Sequence, residues 1–265
     1  MDSRWTVVGV VLLAACGRWG FSSQSSGDAS DDASDAADDV ASEGTAIDAA
    51  LPIAPPAGNG LRLDGTGYLR INSNCAQIPV ELTIAAWVYT DASQGLAYTE
   101  VFALNSNSGG ENLSLVQWDP SGPKINYYDD TVTNAVYSGL LSSANQWHYV
   151  ALVIDANHNG ALYDSTKLVL TFRAPRTVLG NALLSVGQEW DGGNPSELFT
   201  GKIDELAIWR TVRTTAQLAA DTGTRPSMTD PSLVSFYTFE LGDARDDSGH
   251  GHDGTLVGGA TFVAN

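Results

Sequence analysis

Two carboxylates, Asp204 and Glu205, stand side by side in the otherwise apolar run FTGKIDELAIWR, Phe199 to Arg210. An adjacent acid pair could serve as a catalytic acid and base, as ligands for a hard cation, or as charged positions in a strand. Strand alternation predicts Asp204 on one face with Leu206 and Ile208, and Glu205 on the other with Ile203, Ala207 and Trp209. Both faces are largely apolar, so each acid is at risk of burial, where it needs amide donors, a cation or a place at the sheet rim. Retaining glycoside hydrolysis wants two carboxyl groups about 5–5.5 Å apart. No acid occurs two or four positions beyond either member of the pair, and the spaced pair Glu189 and Asp191 is followed by Gly193. A hydrolase is therefore the weakest of the three readings.

Other groups carry less. DANHNG, Asp155 to Gly160, opens like a calcium-binding loop, but its twelfth position is Thr166 in place of a bidentate glutamate, and no helices flank it. A turn using Asn-Gly chemistry is the expectation there. His250-Gly251-His252-Asp253 lies in a glycine-rich turn, His148 lies in a strand, and no nucleophile elbow is present. Sugar recognition calls for aromatic faces with nearby amides and acids. Trp118 in VQWDP and Trp190 in QEWDGGN lie beside turns, and the adjacent Tyr127 and Tyr128 must face opposite sides of one strand. These four are the candidate ligand-binding residues, while Trp87, Trp147 and Trp209 sit in apolar strand runs and read as core.

The elements that would hold these residues are strands. From Leu61 onward short runs of period 2 alternate with turn clusters: LRLDGTGYLRI, ELTIAAWVYT, EVFALNS, NLSLVQWD, PKINYYDD, QWHYVALVID, KLVLTFR, ALLSVGQEW, FTGKIDELAIWR, SLVSFYTFE and GTLVGGATFV. TTAQLAAD is the one predicted helix, about two turns long, capped by Thr214 or Thr215. About a dozen strands with one short helix predict an all-β, two-sheet antiparallel β-sandwich of jelly-roll type.

Composition bounds the rest. Of 265 residues 43% are hydrophobic and 17% charged, enough for a substantial core, and the net charge of −18 disfavours nucleic acid while favouring cations. The run WTVVGVVLLAAC, Trp5 to Cys16, is too short to span a bilayer and ends in small residues, as export signals do. Leu13-Ala14-Ala15-Cys16 resembles the bacterial lipobox, which implies cleavage after residue 15 and a lipid on Cys16. An ordinary export signal with a chance cysteine is the alternative. Gly17 lacks the aspartate that resembles an inner-membrane retention signal, so the outer membrane or cell surface is the expected location. Residues 16–58 are rich in Asp, Ala and Ser, and are expected to form an extended acidic linker before a domain at 59–265. With Cys16 lipidated, Cys75 has no disulfide partner and reads as a small buried hydrophobe.

RLDGTGYLRI, TIAAWV (Thr83 to Val88), WHYVAL (Trp147 to Leu152), LLSVGQ and GKIDELAIW (Gly201 to Trp209) resemble, in order and spacing, the laminin-G-like, concanavalin A-like jelly-roll domains of bacterial surface proteins. The resemblance covers most of residues 60–222. It implies the sandwich fold, and it implies for some members a structural Ca²⁺ near the aspartate that matches Asp204, with Asp246 and Asp64 as further ligands. Glucanases of this fold resemble one another in an E-x-D-x-E strand, which is missing here. The segment Asp246 to Phe262 looks like one that usually precedes such a domain, and it is expected to fold back and complete the sandwich. The expected function is non-catalytic binding of a glycan or another surface protein, with the membrane reached only through the lipid. A structural spacer or assembly module without a small ligand is the alternative.

Overall fold

The computed structural model describes residues 54–71, 81–92, 98–105, 112–119, 124–128, 137–140, 144–174, 183–191 and 193–265. The expected signal segment, Cys16, most of the acidic linker and Cys75 lie outside the described residues, within a chain whose compact unit spans Ala49–Asn265.

Among the described residues there are seventeen strands and one helix: β1 (Asn59–Asp64), β2 (Tyr68–Ile71), β3 (Leu82–Thr90), β4 (Thr99–Asn105), β5 (Asn112–Asp119), β6 (Lys124–Tyr128), β7 (Tyr137–Leu140), β8 (Trp147–Ile154), β9 (Asn159–Asp164), β10 (Lys167–Arg173), β11 (Leu183–Val186), β12 (Glu189–Asp191), β13 (Asn194–Ser196), β14 (Thr200–Trp209), α1 (Thr215–Asp221), β15 (Leu233–Tyr237), β16 (Gly254–Val257) and β17 (Thr261–Ala264). In β5 and β7, and at Asn105, Lys124 and Tyr128, only the backbone is described.

All strand pairs are antiparallel, and they build the expected two-sheet sandwich. The first sheet runs β10-β9-β8-β3-β14-β1-β17, with β15 also on β14; the second runs β16-β2-β11-β4-β5-β6-β7. The last strands complete the domain as expected. β17 pairs with β1 in the first sheet, and β16 pairs with β2 in the second, so the two ends of the domain close both layers.

Alternation explains the core. On β3, Leu82, Ile84, Ala86 and Val88 face the second sheet, while Ala85 and Trp87 face the opposite way. β8 repeats this with Val150, Leu152 and Ile154 inside, and Tyr149, Ala151 and Val153 outside. The outer residues join Trp209, Phe236 and Leu218 of α1 in a second apolar cluster. The centre of the first sheet, β3, β8 and β14, is thus buried on both faces, which is why these strands read as nearly continuous hydrophobic runs. The helix begins where predicted: Thr214 Oγ1 accepts from the Gln217 amide at 3.3 Å, and Gln217 Oε1 accepts from the Thr214 amide at 2.9 Å.

Three short strands, β7, β9 and β13, were not expected from periodicity, and the run ALLSVGQEW is divided into β11 and β12. The β8–β9 turn also differs in detail. Its left-handed residue is His158 (φ 62°), braced by Asp155, whose Oδ1 accepts from the Asn157 and Asn159 amides. Gly160 is needed one strand position later, because a Cβ there would meet the Phe172 ring at 2.0 Å.

Candidate functional site

The acid pair sits on a β-bulge. From Asp204 to Ala207 β14 advances three residues while its partner β3 advances two, Trp87 to Ala85, and the extra residue is accommodated at Glu205, whose φ is 50°. The predicted face parity is corrected accordingly. Ile203 belongs with Leu206 and Ile208 in the inter-sheet core, and Ala207 and Trp209 lie on the helix side. A non-glycine residue in the left-handed region is strained, and its surroundings hold it there. Glu205 Oε1 accepts from Arg225 Nε at 2.9 Å and Nη2 at 2.7 Å, and Nη2 also reaches Glu240 Oε1 at 2.5 Å. Burial pushes the Glu205 carboxyl up and the Arg225 bonds pull it back, while the same bonds raise the guanidinium further above its ordinary value.

Asp204 is buried. Its Oδ1 accepts from the Glu205 amide at 2.8 Å and its Oδ2 from Asn265 Nδ2 at 2.5 Å. Burial, then the neighbouring Glu205 charge, pushes its pKa up to about 8. Asp246 is also buried, but its Oδ1 accepts from the Phe236 and Ser248 amides and the Ser248 hydroxyl, and its Oδ2 from the His252 amide. Burial works to raise it, yet these donors prevail and hold it below the usual carboxylate range. Asp64 is exposed and closes an Asx turn, accepting from the Thr66 amide at 2.8 Å and hydroxyl at 2.7 Å. Each of the three has its own partners, and among the described residues no group of three His, Cys, Asp or Glu is placed to hold a metal. The donor set does not fit one shared calcium ion.

The aromatic candidates divide. Tyr127 is corrected: its side chain is fully buried and stacks on Phe172 with ring centroids 3.5 Å apart, because its side of β6 faces the first sheet together with Ile125. Tyr128 stands opposite Leu115, and Trp118 opposite Thr99 and Ile125; their side chains lie outside the described residues. Trp190 is half-buried on the β12–β13 hairpin, which packs against β4 and β5 at the end of the second sheet. Its ring meets Tyr68 edge-on, with centroids 6.1 Å apart.

Around Trp190 the second sheet is polar on its outer face. On β2, Leu69 and Ile71 point into the core, so Tyr68 and Arg70 point out. Arg70 stands opposite Ser185 on β11, and the Ser185 hydroxyl accepts from Gln188 Nε2 at 2.7 Å. Buried Arg70 Nε, Gln188 Oε1 and Trp190 Nε1 have no hydrogen-bond partner. Trp87 Nε1, Trp209 Nε1 and Ser235 Oγ of the first sheet are enclosed without partners too, so what sets this face apart is the charge on Arg70. Tyr68, Arg70, Ser185 and Gln188 were missed in the sequence. The available signal was parity: Tyr68 and Arg70 alternate with two core residues in YLRI.

The family model described as the concanavalin A-like lectin/glucanases superfamily matches residues 63–219. No curated protein matches the sequence significantly. Among solved structures, a provisionally assigned carbohydrate binding protein from Bacteroides ovatus is similar, with 15% identity and a TM-score of 0.61 over 80% of this chain and 61% of that chain. This chain therefore spans under two thirds of that protein. A heptameric SAP-like pentraxin from Limulus polyphemus aligns over 78% of this chain and 94% of its own, with 17% identity and a TM-score of 0.54. The CBM40 domain of a Ruminococcus gnavus sialidase, bound to α2,3-sialyllactose, aligns over 62% of this chain and 96% of its own, with 14% identity and a TM-score of 0.50. At these identities the likeness establishes the fold alone, whereas the family model covers more than half of the sequence: the chain belongs to the concanavalin A-like lectin/glucanases superfamily.

Proposed function

We propose that this protein is a non-catalytic glycan-binding module, with its site on the outer face of the second sheet beside the β12–β13 hairpin. The observation that carries this is the half-buried Arg70, whose guanidinium has no carboxylate partner among the described residues, on the same face as the half-buried Trp190 ring that Tyr68 backs. A charged planar donor group and an indole ring that can pack against sugar C–H groups form a recognition set for a polyhydroxylated ligand. Similar structures described as binding carbohydrate support the same reading. The acid pair supports a non-catalytic role, since Glu205 is committed to Arg225 and Asp204 to Asn265.

A glycan array tests this. Specific binding is expected, and Trp190→Ala is expected to weaken it at least tenfold while leaving the melting temperature nearly unchanged. Binding should survive EDTA, because among the described residues no group of three His, Cys, Asp or Glu is placed to hold an ion; loss on chelation would move the site to the carboxylates. No glycan binding, with a surface protein recovered by cross-linking, would favour the assembly module. Turnover of a polysaccharide would refute the non-catalytic reading. We further propose that Cys16 carries a lipid that holds the domain at the outer membrane or cell surface. Cys16→Ser should then release the protein from the membrane fraction.

A further inference from the structure

Among the described residues four arginines meet carboxylates, and of the others Arg173 and Arg210 are exposed to solvent, with Arg173 bonded to Asn159. Arg62 meets Asp91 at 2.6 Å, Arg213 meets Asp221 at 2.5 Å, Arg225 meets Glu205 and Glu240, and Arg245 meets Asp247 at 3.4 Å. Arg70 is different. It is half-buried, its Nε is fully enclosed without a partner, and no carboxylate among the described residues pairs with its guanidinium. It lies close enough to Tyr68 that its charge opposes the rise in the phenol pKa that burial causes. Ser185, opposite it across the ladder, already accepts from Gln188.

A guanidinium is always charged and offers planar donors that match a carboxylate's two oxygens. Enclosing one without a counter-charge is costly, and 31 acidic residues were available to supply one. Resting on the glycan-binding reading, we infer that Arg70 determines specificity at this site, and that the sugar it selects bears a carboxylate, either a hexuronic acid or a sialic acid. Arg70 pairs with that carboxylate while Trp190 packs against the sugar ring. The net charge of −18 does not oppose a single carboxylate in direct contact, because charges beyond about 8 Å are largely screened at physiological salt. It does oppose long polyuronates, so the ligand is a short or singly charged saccharide.

Calorimetry with two matched pairs tests the inference: 3′-sialyllactose against lactose, and glucuronoxylotriose against xylotriose. The acidic member of at least one pair should bind at least tenfold more tightly, and the pair that discriminates names the acid. Arg70→Gln should abolish that preference and leave the neutral sugar within about twofold, since a charge-assisted bidentate pair is what is removed. Arg70→Lys should restore part of it, and Trp190→Ala should weaken both members of a pair. Equal affinity for acidic and neutral sugars, or an Arg70→Gln loss shared equally by both, overturns the carboxylate inference and leaves glycan binding standing. Binding of none of the four, together with a blank array, overturns glycan binding and the inference with it.

Discussion

Arg225 and Arg70 belong to the two sheets of one sandwich and have opposite surroundings. Arg225 locks a strained bulge: it forms two bonds to buried Glu205 and another to Glu240, which in turn holds the Asn59 amide at 3.1 Å at the start of β1. Arg70 holds nothing that the fold requires. The outer face of the first sheet is sealed by Trp87, Trp209, Phe236 and Leu218, whereas the outer face of the second carries Arg70, a guanidinium with no carboxylate partner among the described residues, and the half-buried Trp190 hairpin. One face is arranged for stability and the other for something outside the chain. Residues of the sealed face should therefore be costly to change, and those of the polar face should not.

The largest effect belongs to the sealed face. Trp209 is fully buried on β14, with the Arg213 guanidinium 4.6 Å from its ring. Trp209→Ala should lower stability by about 3–5 kcal/mol, as large aromatic truncations in cores do. Urea unfolding measures this directly. A loss of under 1 kcal/mol would mean that the helix side is not a true second core, and the contrast between the faces would fail.

The next effect is a pH dependence. Asp204 is raised from 3.8 to about 8 in the folded protein, so between those values the native state holds a proton that the unfolded chain has released. Its contribution is fully present below pH 3.8 and is lost as pH rises through about 8. Asp204→Asn keeps a neutral acceptor for the Glu205 amide and should flatten this slope, leaving the variant more stable than the parent at pH 8 and above. Melting temperatures measured from pH 5 to 9 would show it, and parallel profiles for the two proteins would contradict the burial argument.

How much of this was legible in the sequence follows the same division. β3, β8 and β14 announced themselves through apolar alternation because both of their faces are covered, and Thr214 announced the helix through a side chain that can cap it. The bulge was not legible: Glu205 occupies a left-handed position that composition would assign to glycine or asparagine, and the Asp204 carboxyl on its amide and Arg225 on its side chain hold it there. One inserted residue then reversed the predicted facing of Ile203. The site was half legible. Trp190 stood out as an aromatic beside a turn, but adjacent tyrosines carry no parity, so Tyr127 could be placed in the core only from its stacking on Phe172. Arg70 carries no motif, since its significance lies in lacking a carboxylate partner, which is a property of space and not of spacing.

The bulge and the polar face can be set against each other with one substitution in each. Arg225→Gln strands the Glu205 carboxylate, which is only 7% exposed, but Arg225 itself is 41% exposed and solvent screens the pair. The expected loss is therefore about 1–2 kcal/mol, below that of a fully enclosed ion pair. It should shrink at low pH, where Glu205 takes up a proton.

Arg70→Gln is the smallest effect and the most informative. A half-buried guanidinium without a counter-charge contributes only the packing of its stem against Tyr68 and the neighbouring strands. Removing the charge eliminates a desolvated cation, and the glutamine amide can donate where Nε could not be satisfied. Stability should change by less than about 0.5 kcal/mol, the range of a surface substitution, and could rise. Denaturation of Arg70→Gln beside Arg225→Gln, at one pH and salt concentration, reads both arginines on one scale. If Arg70→Gln were as damaging as Arg225→Gln, Arg70 would have a structural partner, and the polar face would be a second brace of the fold. If it is neutral, the residue is maintained for a ligand, because nothing inside the domain accounts for the cost of enclosing it.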